Sequence, residues 1–262
     1  MKRIAAIAFA LIAIAAHADW RGAFDDAYFA QVVTADPYHG MPASIATNCV
    51  LWQDFGANNG TNFISLLGTR NGYALGAPTW VTNAGGSVSV NGSSEVRFST
   101  NAFVDADGPV TVSVWYYRTD NVEWGFMVTL VQDTQFMVTH GGNGTQYPIV
   151  IGHREHKQMT TSNPDLYVAN QLNRWIHLVA IYDGVNRDAL SSLWCYYNGN
   201  LQTSVDAGDG GGSGNYNSIG SAGGAEYFTG IIDDVMIFNR VLTSNECYQL
   251  YMMGSTNGTG TH

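Results

Sequence analysis

The sequence predicts an all-β fold, a two-sheet antiparallel sandwich, on three observations. Asn-Gly pairs recur along the chain at Asn59, Asn71, Asn91, Asn143, Asn198 and Asn257, and both residues of such a pair tolerate the positive φ that two-residue hairpins demand. Between the pairs lie short runs rich in β-branched and aromatic residues with partial alternation, at 87–90, 110–117, 126–131, 175–182, 193–197 and 231–238, which is the strand signature. Beyond the first residues no long helical periodicity is present, and no internal repeat.

Taken in order, the chain opens with an address. Lys2 and Arg3 precede an apolar, Ala-rich run over 4–16 and then Ala16-His17-Ala18, the pattern of a signal peptide over 1–18 cut after Ala18. The run is shorter than the roughly 20 residues that span a bilayer. Residues 19–47 carry weak strand signals and are predicted to be an N-terminal extension. A single β domain follows over 48–252, a size that sandwiches often reach as one unit. The glycine-rich stretch 208–214 lacks the Lys and the strand-to-helix context of a phosphate cradle and reads as a loop. A short helix is expected over 244–251, capped by Thr243 or Ser244 with Glu246 in its first turn. Residues 253–262 form a polar tail.

The formal charge is −10, and loss of Lys2 and Arg3 with the leader makes it two units more negative. With no cluster of Lys or Arg, nucleic acid and anionic membrane surfaces are poor partners, because both require a basic footprint. Cys49, Cys195 and Cys247 are too few and too scattered for a disulfide framework or a zinc site. One disulfide plus an odd thiol, and three small buried hydrophobes, both fit them. Asn59, Asn91, Asn143 and Asn257 also open Asn-Gly-Ser/Thr sequons, although turn chemistry already explains those pairs and the leader has a bacterial character.

Specific segments carry a resemblance. Residues 175–184, 193–199, 219–220 and 228–242, with 50–56, 76–81 and 110–115 upstream, resemble the successive strands of laminin G-like, concanavalin A-like jelly-roll domains. The resemblance spans about 48–251 and is most specific in the closing run. It implies a jelly-roll sandwich and, in many relatives, a calcium-supported surface that binds sugar or protein.

The resemblance places calcium at Asp54 and Asp233. Asp233 alternates with Val235 and Ile237, so it is expected on their inward face. A carboxylate there is costly unless paired, hydrogen-bonded or metal-bound. Calcium takes six to eight oxygens. Because no dense run of acidic ligands is present, backbone N–H groups that tie the closing strand are the competing partner for Asp233.

For sugar binding, aromatic rings stack on apolar sugar faces while polar groups bond the hydroxyls. Trp124, Tyr147, Tyr216 and Tyr227 lie in turn-rich segments and are the ligand-binding candidates, each also able to serve as a rim residue closing the core. Trp115 and Trp175, within strands, are expected in the core. His153-Arg-Glu-His156 has neither the spacing nor the helix of a metalloprotease motif and reads as solvated surface. His177 reads as structural. Glycosidases need a carboxylate pair flanking the scissile bond, whereas Glu95, Glu123, Glu155, Glu226 and Glu246 stand isolated in sequence.

These features predict a secreted, non-catalytic recognition module that engages a glycan or an extracellular protein, located outside the cell, at its surface or in the periplasm. The alternative is an adhesive or fibre subunit that self-assembles through 19–47 by strand addition. A glycan-cleaving enzyme is the third reading.

Overall fold

The computed structural model describes residues 41–55, 62–63, 65–67, 71–81, 86–98, 103, 105, 108–120, 124–130, 136–140, 149–153, 156–209 and 216–256. The chain divides into two compact units, 1–42 and 43–262, and the structure below belongs to the second. The expected signal peptide and nearly all of the extension 19–47 lie outside the described residues.

Two antiparallel sheets make a jelly-roll sandwich, as the sequence predicts. In chain order the strands are β1 Cys49–Gln53, β2 Asn62–Phe63, β3 Gly72–Leu75, β4 Thr79–Val81, β5 Ser87–Asn91, β6 Glu95–Arg97, β7 Val110–Arg118, β8 Gly125–Leu130 and β9 Phe136–His140. They continue with β10 Val150–His153, β11 Lys157–Thr161, β12 Trp175–Tyr182, β13 Leu193–Tyr197, β14 Asn200–Leu201, β15 Ser204–Asp209, β16 Ser218–Ile219 and β17 Thr229–Phe238. Among the described residues, the first sheet has eight strands in the order β14-β13-β12-β7-β17-β5-β4, with β1 also paired to β17. The second has nine, in the order β15-β11-β10-β9-β8-β16-β6-β3-β2.

Alternation along the strands builds the core between the sheets. Val112, Val114 and Tyr116 of β7 meet Leu178, Ala180 and Ile176 of β12 on one side, and Val96, Val128, Val138 and Ile151 of the second sheet on the other. Full burial of such side chains contributes about 1.5–3 kcal/mol each. The strand runs at 175–182 and 193–197 become neighbours: β12 pairs antiparallel with β13, with Ala180 opposite Cys195, and the Asn198-Gly199 turn leads into β14. The core also holds His153, which the sequence placed on a solvated surface. Its ring is fully buried between Phe136, 5.2 Å away, and Tyr182, 4.5 Å away. Strand alternation in β10 turns His153 inward with Ile151, while His156, beyond the strand, bonds Asp188 at the surface.

The outer face of the first sheet is covered by a C-terminal helix, Ser244–Thr256. Thr243 and Glu246 close its N-terminus reciprocally: the Thr243 Oγ1 accepts from the Glu246 N–H at 3.3 Å, and the Glu246 carboxylate accepts from the Thr243 N–H at 2.8 Å. That is a capping box. The helix runs five residues beyond the expected end because it packs on aromatic rings. Tyr251 stacks on Trp115 with centroids 5.8 Å apart, and Gly254 lies against the Trp115 indole, where a Cβ would meet Nε1 at 2.1 Å. Trp115 is therefore buried on the outer face under this helix rather than between the sheets. Trp175, expected in the core, is half-buried and sets its ring edge-on to Tyr117.

Arg240 ties the segment before β1 to the same helix, donating to the carbonyls of Ser44, Ile45 and Thr47 and to the Glu246 carboxylate. The three cysteines are free thiols. Burial pushes the Cys49 and Cys247 thiols up to about 12 and raises that of Cys195 as well. Among the described residues no helix is long and apolar enough to cross a membrane.

Candidate functional site

The face of the second sheet that points away from the core carries a polar row running from one register partner to the next. Asn62 opposes Tyr73, Tyr73 opposes Arg97, Arg97 opposes Ser218, Ser218 opposes Thr129, and Thr129 opposes Met137. Their strand neighbours Val96, Ile219, Val128 and Val138 point into the core, so the pleat directs this row outward.

At the β3–β6 end of the row the side chains form a built site. Glu95 and Arg97 sit two apart on β6, hence on one face, and are ion-paired through Arg97 Nη2 and Glu95 Oε1. Glu95 is 1% exposed. Its second oxygen accepts the Ser221 hydroxyl. Ser221 is itself a hub, since its Oγ also accepts the N–H groups of Gly223 and Gly224 and its carbonyl accepts the hydroxyls of Ser218 and Thr129. These bonds fold the segment between β16 and β17 over the middle of the row. They leave Arg97 fixed and Tyr73, 42% exposed, beside it.

Tyr216 completes the arrangement. The Arg97 guanidinium carbon lies 4.1 Å from the Tyr216 ring centroid, a cation–π geometry worth about 0.5–2 kcal/mol. Thus one face of the guanidinium is stacked and one amino group is bonded to Glu95. Its Nε is buried and has no hydrogen-bond partner among the described residues.

Two other predicted aromatics gather at the start of β8. Trp124, 37% exposed with φ of 56°, leads into the strand, and Tyr227 bridges Phe126 while the Glu226 carbonyl accepts the Phe126 N–H. Glu226 also has positive φ, 49°. Tyr147 lies outside the described residues.

Asp54 and Asp233 are placed differently from the expectation. β17 is bulged between Asp233 and Met236, with Asp234 at φ 44°. The extra residue reverses the alternation. Asp233 therefore opposes Trp115 on the outer face, while Val235 and Ile237 enter the core. Its Oδ1 accepts the Asp234 N–H at 2.8 Å, and the Asp234 carboxylate accepts the Trp52 indole N–H at 3.2 Å. Asp54 is half-buried directly after β1, whose Gln53 opposes Val235. Among the described residues no three His, Cys, Asp or Glu side chains gather to hold a metal.

Tyr73, Glu95, Arg97 and Ser221 are not among the binding residues that the sequence predicts. The one local signal was Glu95-Val96-Arg97, a carboxylate and a guanidinium at strand spacing around an apolar residue.

A two-sheet antiparallel jelly-roll sandwich with a helix on one outer face defines a concanavalin A-like class of domain. The chain belongs to the Concanavalin A-like lectin/glucanases superfamily, whose Laminin_G_3 model matches residues 90–247. No curated protein matches it in sequence. Among solved structures, it is similar to a Trypanosoma rangeli sialidase at 14% identity and TM-score 0.56, covering 84% of this chain and 34% of that one. The receptor binding domain of botulinum neurotoxin D is similar at 15% identity and TM-score 0.57, with 81% and 54% covered. Domain 4 of AbnA, a GH43 extracellular arabinanase from Geobacillus stearothermophilus solved with arabinotriose, is similar at 16% identity and TM-score 0.55, with 78% and 98% covered. The chain thus spans about a third of the sialidase and nearly all of the arabinanase domain. At these identities the likeness is one of fold.

Proposed function

We propose that this protein is a secreted, non-catalytic recognition module that binds a glycan on the outer face of its nine-stranded sheet. The observation that carries this reading is Arg97, held between the Glu95 carboxylate and the Tyr216 ring with the exposed Tyr73 next to it. A fixed donor beside an open aromatic ring is what a sugar needs: hydrogen bonds for its hydroxyls and a flat apolar surface for its ring. The solved AbnA domain of the same fold was seen with arabinotriose, which supports a sugar as ligand.

Chemistry on the glycan is a poorer fit. Hydrolysis requires two carboxylates poised about 5–10 Å apart on either side of the bond. Glu95 commits both oxygens to Arg97 and Ser221, and Glu246 bonds Thr243 and Arg240 on the helix side of the molecule. This reading does not require calcium; the carboxylate bonds seen at the β17 bulge are Asp233 to the Asp234 N–H and Asp234 to the Trp52 indole. The test is a glycan array probed once with calcium and once with chelator. Selective binding that is unchanged by chelation is expected; absence of binding to any glycan overturns the reading.

A further inference from the structure

We infer that the ligand of the Arg97 site is an uncharged glycan, and that Glu95 enforces this choice. The inference rests on the glycan-binding reading above and adds the chemical class of the sugar. An exposed arginine is ordinarily a receptor for carboxylates, because its planar fork matches two oxygens and its charge is permanent. Arg97 is not presented that way. One terminal nitrogen is bonded to the Glu95 carboxylate, which is buried to 1% exposure and locked from its other side by the Ser221 hydroxyl. Buried beside the guanidinium, that carboxylate cancels its charge at short range, where screening by salt is weak.

Among the described residues, the contacts seen on the pair bring no second cation: Tyr216, Ser218, Ser221 and the Gly224 backbone are all uncharged. The chain as a whole carries a formal charge of −10. A uronate or sialate reaching Arg97 would lose hydration and meet a neutral pair inside an acidic protein. A neutral sugar gives up less: its hydroxyls accept from the remaining guanidinium N–H while Tyr73 offers the ring face. Glu95 is accordingly a positioning residue that holds Arg97 as a directional donor without net charge.

The experiment uses the full chain and two probe sets. One contains neutral xylo-, gluco-, manno-, galacto- and arabino-oligosaccharides; the other contains oligogalacturonate, oligoglucuronate and sialyllactose. Affinities are measured at about 20 and about 300 mM NaCl, which changes screening severalfold. The wild-type chain is expected to bind within the neutral set with a Kd that moves less than about twofold between the two salts. Glu95→Gln leaves Arg97 uncompensated and is expected to gain about tenfold or more for a carboxylate probe, with steep salt dependence. Wild-type preference for a carboxylate probe, or a strongly salt-dependent Kd, overturns the inference and leaves glycan binding standing. Binding to neither set overturns both. Should the Gln variant fail to fold, the wild-type salt comparison decides alone.

Discussion

The Arg97 guanidinium lies 4.1 Å from the ring centroid of Tyr216 although nearly half the chain separates the two residues. The contact forms because β6 and β16 are neighbours in the nine-stranded sheet, pairing Arg97 with Ser218, two residues beyond Tyr216. It joins a positively charged strand residue to a loop aromatic at the end of the outer face where Tyr73 is exposed.

Removing Arg97 alone strands a buried carboxylate. Arg97→Met is expected to destabilise the fold by about 3 kcal/mol, the scale on which a buried pair is broken from one side. The double variant Arg97→Met with Glu95→Gln recovers part of that loss, because no unpaired charge remains. Urea denaturation of the two variants checks this; equal losses in both would show that the pair is not coupled.

Gly254 faces Trp115 where a Cβ would approach the indole Nε1 to 2.1 Å. Gly254→Ala is therefore expected to cost about 1–3 kcal/mol through displacement of the helix, despite the higher helix propensity of alanine. The measurement is the urea midpoint together with the near-UV signal of Trp115. A stabilised variant would mean that the helix does not seat on this ring.

Glu246 gives a pH dependence. Burial by itself would raise its pKa, but hydrogen bonds from Arg240 and Thr243 outweigh that and hold it below its ordinary value. A carboxylate depressed in the folded state contributes stability that is present above its unfolded value and lost as the pH falls through the folded value. Stability is expected to fall as the pH drops below about 4.5, and Glu246→Gln is expected to flatten that part of the profile. An unchanged acid limb in the variant would show that ionisation of Glu246 contributes nothing to the pH dependence.

The architecture was legible because it rests on local pattern. In β12 and β13 the alternation and the Asn198-Gly199 turn lie within one stretch of chain, and so does the capping box of Thr243 and Glu246. Asp233 was placed on the wrong face because a single bulge residue, Asp234, reverses strand parity, and nothing in the composition of that run marks the bulge. His153 was read as surface because its strand is four residues long and its aromatic neighbours come from β9 and β12. The site was the least legible part. Tyr216 could be named as a loop aromatic, but its partner Arg97, the Tyr73 that opposes Arg97, and the Ser221 hub come from separate strands and a loop, brought together only by sheet pairing.

Glycan binding at the Tyr73 and Arg97 end of the nine-stranded sheet remains the proposal on which the function rests. The most direct measurement is a glycan array of the wild-type chain beside Tyr73→Ala, whose side chain is too exposed to support the core. Selective binding by the wild type that falls about tenfold or more in the variant, the scale of one lost aromatic contact, is the predicted result. Equal binding by both chains, or none by either, would contradict it.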